Sequence, residues 1–195
     1  ADYGRVIKIP DNNMDFVTAS TLPIALATMH NAIVKIGNFT KGQTILIQGA
    51  SSGVGLMGLQ IAKYLGAKLV IGTSTKPEKF DKLKSIGADL VVNSKDKDWV
   101  DQVLQATNNE GVDLIIDQLS GYTINENMRA SKVKGTIVNV GRLAGGNTEF
   151  NCDLHALRRI NYRGVTFRTR SINEIREVYS KTVSYTHLTL PTILP

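Results

Sequence analysis

The sequence is short of cysteine, of aromatic residues and of long apolar runs, and each shortage removes a class of protein. Cys152 is the single cysteine among 195 residues, so no intramolecular disulfide can form and a metal cage built on several thiolates is excluded. That usage fits a reducing compartment, and a cytoplasmic location is expected. No stretch approaches the roughly 18 consecutive apolar residues of a bilayer span, and no membrane partner is expected. Charge of one sign is not concentrated either: the net charge of +6 comes from 23 Lys and Arg interleaved with 17 Asp and Glu, the pattern of a solvated surface. The densest basic stretch, Arg158, Arg159, Arg163, Arg168 and Arg170, neither forms a continuous run nor alternates with aromatics. Nucleic acid is therefore not expected as the main partner. The remaining composition, 42% hydrophobic and 21% charged, has material for one sizeable core and predicts one main domain.

Both ends read as cut. Tyr3 to Pro10 resembles the end of a strand whose partners lie upstream, and with an internal start the lack of a signal peptide is uninformative. Val183 to Thr192 reads as the translation of a transposon-end adapter, so native sequence is expected to stop near Thr182, with residues 183–195 a non-native tail. His187 accordingly receives no functional reading.

Between the ends the chain is strongly patterned. After a polar turn from Asp11 to Asp15, Phe16 to Ile36 carries apolar residues at mostly helical spacing, interrupted at Pro23, and predicts a connecting helix. Short apolar, β-branched runs then alternate with amphipathic stretches of about ten residues, as βαβ units require. The predicted strands are Thr44–Gln48, Lys68–Thr73, Leu90–Asn93, Val112–Asp117, Thr136–Val140 and Gly164–Arg168. Nearly all are too uniformly apolar for a sheet with one wet face, so they are expected to be buried on both sides. The predicted helices are Leu56–Leu65, Pro77–Ile86, Trp99–Thr107, Ile124–Ser131 and Leu154–Asn161. Pro77 falls in a first turn, and Gly66 and Gly87 fall just past helix ends. The fold class is α/β, a doubly wound parallel sheet, with its default ligand crevice at the carboxyl ends of the strands where strand order reverses.

The most informative segment is Ile45-Leu46-Ile47-Gln48-Gly49-Ala50-Ser51-Ser52-Gly53-Val54-Gly55-Leu56-Met57-Gly58, a strand that feeds through glycines into a helix. Gly53, Gly55 and Gly58 satisfy the dinucleotide fingerprint. One glycine serves the tight turn, the next lets a pyrophosphate approach the backbone, and the third lets helix and strand pack closely. The helix start then offers unpaired N–H groups and a positive dipole end to the phosphates. A glycine-rich turn alone can be a mere tight connection, but here a strand precedes it, an amphipathic helix follows, and a second strand arrives at Lys68. About 20 residues on, where an acid would select NAD, the chain has Gly72-Thr73-Ser74-Thr75-Lys76-Pro77-Glu78-Lys79. Hydroxyls and lysines there pair with a 2′-phosphate that an acid would repel, so NADPH is the expected cofactor.

Gly42-Gln43, Leu46, Ala50-Ser51, Gly53, Gly55, Gln60 and Lys63 follow the signature of quinone oxidoreductases and zeta-crystallin, and the Gly87-Ala88-Asp89 turn agrees. The chain resembles the zinc-free quinone oxidoreductase branch of the medium-chain dehydrogenase/reductase superfamily up to about Thr182. One position departs: Ser52 stands where the pattern has glycine. The resemblance implies that residues 1–15 end an N-terminal GroES-like catalytic domain and that 16–182 form a Rossmann-type NADP-binding domain. It implies cofactor contacts at Thr28 beside the nicotinamide, at Ser51, Ser52, Gly53, Val54 and Gly55 under the phosphates, and at Ser74, Thr75 and Lys79 around the 2′-phosphate. Ser94 would cover the adenosine, and Val140, Gly141 and Arg142 would line the nicotinamide. Each has a plainer reading as well, such as Thr28 or Ser94 capping a helix, or Gly141 serving a turn.

Zinc-dependent relatives place a cysteine near Thr21 to Thr28, where this chain has none, and neither His30 nor Cys152 has partners at ligand spacing. No metal is expected. The implied reaction is hydride transfer from NADPH to a quinone, an enone or a related conjugated carbonyl, a small-molecule substrate, by a protein that forms a homodimer at full length. Enoyl thioester reductases share this nucleotide domain, and no catalytic residue is assigned to this half. Two other classes compete. A short-chain dehydrogenase would use the same glycine loop but needs a Lys four residues after a Tyr, a spacing that Tyr64, Tyr122, Tyr162 and Tyr179 are expected to fail. A non-catalytic nucleotide-binding or crystallin-like protein would keep the glycine turn without turnover.

Overall fold

The computed structural model describes residues 9 and 15–182. The expected opening strand, apart from Ile9, and the expected tail after Thr182 lie outside the described residues. Six strands form one parallel sheet: β1 (Thr44–Ile47), β2 (Leu69–Thr73), β3 (Leu90–Val92), β4 (Val112–Asp117), β5 (Ser131–Asn139) and β6 (Asn161–Gly164). Their order is β3-β2-β1-β4-β5-β6. The chain moves outward from β1 to β3, crosses back, and moves outward again from β4. The reversal lies between β1 and β4, which puts the crevice beside the carboxyl end of β1.

Helices cover both faces: α1 (Phe16–His30), α2 (Gly53–Tyr64), α3 (Phe80–Ile86), α4 (Trp99–Ala106), α5 (Ile124–Ala130), α6 (Cys152–Arg158) and α7 (Ile172–Thr182). Two cores result. On one face Ile45, Ile47, Leu114, Ile116 and Val138 pack under Met29, Ile33, Met57 and Leu59 from α1, α2 and the turn that follows α1. On the other, Leu46, Ile71, Ile115 and Ile137 pack under Trp99, Val103 and Met128 from α4 and α5. Alternate residues of β1 and β4 therefore serve opposite faces, and both sets are fully buried, as a uniformly apolar strand requires.

Elsewhere the structure corrects the reading. The sixth strand is Asn161–Gly164, not Gly164–Arg168, and all four of its residues are exposed rather than buried on both sides. It is an edge strand with a neighbour on one side only. The apolar residues after it serve packing instead: Val165 joins the core and Phe167 lines a surface groove. The fifth strand begins early, at Ser131, because a bulge separates the pairs Val112↔Ser131 and Leu114↔Thr136, with Lys134 turned to φ 65° inside it. The last predicted helix forms earlier, at Cys152–Arg158, since Asn151 caps it through Leu154 N and Arg159 ends it in the left-handed conformation.

Two features of motif residues are structural. Lys63 pairs with Asp89, and the second oxygen of Asp89 accepts from Val70 N at 2.8 Å, so this pair ties the end of α2 to the turn before β3. Both side chains are more than a third exposed, and the pair contributes about 1 kcal/mol at most.

The helix over Phe16–Ile36 is 21 residues long with a mean hydropathy of 1.3, enough by length and composition to cross a bilayer, which the search for an unbroken apolar run did not show. Its apolar residues are interleaved with Thr, Ser, Asn and His and divide: Leu22, Ala25, Leu26, Met29, Ala32 and Ile33 are buried in the core, whereas Phe16, Val17 and Ile24 are exposed. Its last six residues, Asn31–Ile36, widen into a π-helix. His30 is buried there, and burial first, then the charges of Lys181 and Lys35, hold its imidazole below its ordinary value. A histidine lowered in the folded state binds its proton more readily when unfolded, so its stabilisation is fully present above the ordinary value of 6.5 and is lost as pH falls from there through the lowered folded value. In denaturant titrations across that range, His30→Gln is expected to flatten the decline in stability toward acid pH.

Candidate functional site

The turn after β1 is built by backbone and hydroxyl bonds that leave a helix start open. Gly49 adopts φ 67°, which glycine accepts without strain, and its amide donates to Thr73 Oγ1 at 3.0 Å while Ala50 N donates to Thr73 O at 2.9 Å. The chain then enters α2 with Ser52 as N-cap in extended conformation. Ser52 Oγ accepts from Gly55 N at 3.0 Å, a cap that contributes about 1 kcal/mol. Among the described residues the amides of Gly53 and Val54 have no acceptor. They lie in the first turn, at the positive end of a helix twelve residues long.

The glycines there do different work. A Cβ on Gly55 would lie 2.5 Å from Gly49 O and 2.7 Å from Ala50 Cα, backbone against backbone, so only glycine lets α2 begin this close to the sheet. A Cβ on Gly58 would meet Met29 Sδ at 3.1 Å, the α1–α2 contact. A Cβ on Gly53 would meet nothing within 4 Å. Nothing in the described chain crowds position 53, so the space in front of the two open amides is free for an anionic group. This is the observation by which the residues fit an anionic dinucleotide.

Around the turn, polar residues at the strand ends form a buried network. Gln48 Nε2 donates to Asn127 Oδ1 at 2.6 Å, and Thr73 Oγ1 donates to Gln48 Oε1 at 2.8 Å. Gln118 Nε2 donates to Gln48 O at 2.9 Å, and Ser52 Oγ reaches Gln118 Oε1 at 3.2 Å. Asp117 is fully buried, and burial pushes its carboxyl above the usual range against the pull of the Ser120 and Leu119 amides and the Asn127 side chain. Ser120 sits at φ 55°, ψ −146°, a conformation costing about 1–3 kcal/mol. It is held by its amide on Asp117 Oδ1 at 2.9 Å, by its hydroxyl on Gly141 O at 2.8 Å, and by Asn139 Nδ2 donating to its oxygen at 2.6 Å. The same Asn139 amide donates to the Tyr162 hydroxyl at 2.9 Å, and burial raises the proton affinity of that phenol.

The expected site residues, Thr28 apart, follow the carboxyl ends of the strands. Ser51 and Ser74 lie together, hydroxyl to hydroxyl at 3.3 Å, so the ends of β1 and β2 share one corner. Ser74 is buried, whereas Thr75 and Lys76 are exposed and Lys79 is half-buried. Ser94, beyond β3, is buried, leaving Lys95 as the exposed rim. Val140 and Gly141 are half-buried and Arg142 is exposed. Gly141 is held against β4, since its Cβ would fall 2.5 Å from Gln118 O. Thr28 lines a different feature, a groove of about 530 Å³ between α1 and α7 with Pro23, Ile24, Ala27, Phe167, Ile175 and Tyr179.

Sequence reasoning missed Gln48, Asp117, Gln118, Ser120, Asn127 and Asn139. The signal was available in part: the apolar runs of β1, β4 and β5 each stop at a polar residue, Gln48, Asp117 and Asn139. The expectation that Tyr64 fails the Tyr–Lys spacing is corrected too, since Lys68 stands four residues on. That spacing brings no catalytic pair to the crevice, because Tyr64 ends α2 and Lys68 precedes β2, at the opposite end of the sheet from the glycine turn. Among the described residues no group of three or more His, Cys, Asp or Glu is placed to hold a metal ion.

The profile of the zinc-binding dehydrogenases matches residues 53–184. A highly reducing polyketide synthase, pkhB of Emericella nidulans, is 33% identical over 165 residues, which are 83% of this chain and 6% of the synthase. A quinone oxidoreductase of Pseudomonas syringae superposes with a TM-score of 0.85 at 22% identity, over 94% of this chain and 57% of that one. Mycobacterial Rv1454c, solved with NADPH, superposes at 0.87 and 23% identity, over the whole of this chain and 60% of that one. The chain thus spans a small part of the synthase and little more than half of these solved relatives.

The two glycines separate stability from binding. Gly53→Ala is expected to leave the melting temperature of the ligand-free chain unchanged or slightly raised while abolishing stabilisation by added NADPH in a thermal shift assay. Gly55→Ala is expected to lower the melting temperature itself, by an amount equivalent to about 1–3 kcal/mol.

Proposed function

The chain belongs to the zinc-binding dehydrogenase family of the medium-chain dehydrogenase/reductase superfamily, and on that premise we propose that residues 16–182 are the NADPH-binding domain of an oxidoreductase. Its substrate is a quinone, an enone or a related conjugated carbonyl. The observation that carries the cofactor assignment is the open space at Gly53 in front of two unclaimed amides. Gly53 and Val54 donate to the bridging phosphates, the dipole of α2 adds attraction for their negative charge, and Ser52 holds the first turn in place. Ser51, Ser74, Thr75 and Lys79 take the 2′-phosphate, in a corner where β2 ends without an acid. Ser94 borders the adenosine. Thr28, Val140, Gly141 and Arg142 take the nicotinamide, which Gly141 admits because no side chain stands between it and β4.

NADPH supplies the hydride, and the protein's part is to orient it, keep water away and stabilise charge on the substrate oxygen. An enoyl thioester is the second substrate reading, favoured by the 33% identity to a reducing polyketide synthase. Residues 1–15 are assigned to the end of an N-terminal catalytic domain and 183–195 to a non-native tail. No residue of this chain is assigned to zinc. The exposed single thiol of Cys152 supports a cytoplasmic setting. The one-sided, fully exposed β6 edge supports a homodimer, since an unpaired edge is a template for a second strand.

Thermal shift with NADPH and NADH tests the phosphate-selecting corner: NADPH is expected to stabilise the chain more, and equal shifts overturn the role of Ser74 and Lys79. Lys79→Ala is expected to weaken NADPH binding by about tenfold, one charge-assisted bond, with little change for NADH. The 195-residue chain is expected to bind NADPH without steady turnover, and sustained NADPH oxidation with a quinone by the metal-free chain refutes the placement of the substrate machinery upstream.

A further inference from the structure

Ser52 departs from the glycine that the quinone oxidoreductase signature has at this place, and the structure supplies a partner for it. We propose that Gln118 is a positioning residue that, with Ser52, locks the phosphate turn and the Val140–Ala144 loop into one unit, so that the two ends of the cofactor seat are set together. This rests on the nucleotide-binding reading above.

Gln118 is 5% exposed and sits just past β4, between the two loops. Its side chain faces the phosphate turn. Nε2 donates to Gln48 O at 2.9 Å and to Gly49 O at 3.4 Å, and Oε1 accepts from Ser52 Oγ at 3.2 Å. Its backbone faces the other loop. Leu143 N donates to Gln118 O at 3.2 Å, and Gly141 lies so near that a Cβ there would clash with the same carbonyl at 2.5 Å. The neighbouring Leu119 O accepts from Ala144 N at 2.8 Å. One residue thus touches both loops through different atoms, and a shift of its backbone moves both.

Ser52 makes the link bear on the helix start. Its hydroxyl has one proton and two acceptors, Gly49 O at 2.9 Å and Gln118 Oε1 at 3.2 Å, while its oxygen is already fixed by Gly55 N at 3.0 Å. A glycine at 52 would leave Gly55 N uncapped and Gln118 Oε1 without this donor. In this chain, therefore, Gly55 N is withdrawn from the ligand, the seat is the amides of Gly53 and Val54, and their direction is set through Ser52 by Gln118. A buried amide that loses its donor leaves an unsatisfied polar atom, so the two side chains are coupled rather than additive.

The test is a double-mutant cycle on the 195-residue chain with Gln118→Leu, Ser52→Gly and the pair, reading NADPH affinity by fluorescence titration and amide hydrogen exchange without ligand. Gln118→Leu is expected to weaken NADPH about tenfold or more, and Ser52→Gly is expected to weaken it less. The pair is expected to be no weaker than Gln118→Leu alone. In the ligand-free chain, exchange at Gly55 and Leu143 is expected to speed up together in Gln118→Leu. Additive losses, or a lowered melting temperature with unchanged affinity and unchanged exchange at Leu143, overturn the proposal. If the unsubstituted chain binds neither NADPH nor NADH, the nucleotide reading fails, while joint acceleration at Gly55 and Leu143 still upholds the mechanical link and its absence sinks it too.

Discussion

The structure depends on how closely the first turn of α2 approaches the carboxyl end of β1. At Gly55 that approach is backbone to backbone, with 2.5 Å between Gly49 O and the place a Cβ would occupy. Because the helix begins there, its unpaired amides and its dipole are delivered to the point where strand order reverses between β1 and β4. The fold has little freedom to put an anion seat elsewhere. The parallel sheet aims every strand's carboxyl end at the same edge, and α2 returns along the sheet with its start at that edge.

The buried polar network is the counterpart of this arrangement. Strands covered on both faces favour pairing the polar groups where they end at the crevice. Here Gln48, Thr73, Gln118 and Asn127 pair across the ends of β1, β2 and β4, and Ser120 with Asn139 continues the chain to β5. The strained backbone of Ser120 is held by three separate bonds, which fixes the loop after β5 relative to β4. Stability and site geometry are in this respect one property: the bonds that satisfy buried groups also set the rim.

Some motif residues that define the family resemblance do not face the crevice. Lys63 and Asp89 pair at the far end of α2, and Gln60 Nε2 donates to Leu56 O within the helix. Their fixed spacing reflects the joining of α2 to the turn before β3. A signature can thus identify a fold by its structural joints as well as by its ligand contacts.

The alternation of elements, the parallel sheet and the glycine turn are written in the chain itself, because they follow from local apolar periodicity and from residues whose conformational needs are intrinsic. Gly53, Gly55 and Gly58 were legible as a set, and the strands β1 to β4 were placed to within a residue at each end. Which glycine serves the fold and which leaves open space emerges only from packing, since the two differ by what lies within 4 Å and not by sequence. The same holds for the sixth strand, whose apolar neighbours Val165 and Phe167 mimic a buried strand until the packing assigns them to the core and a groove. It holds most of all for Gln118, 66 residues from Ser52 in the chain and joined to it only by the folding of β4 against β1, because a hydrogen bond between distant residues has no periodicity to announce it.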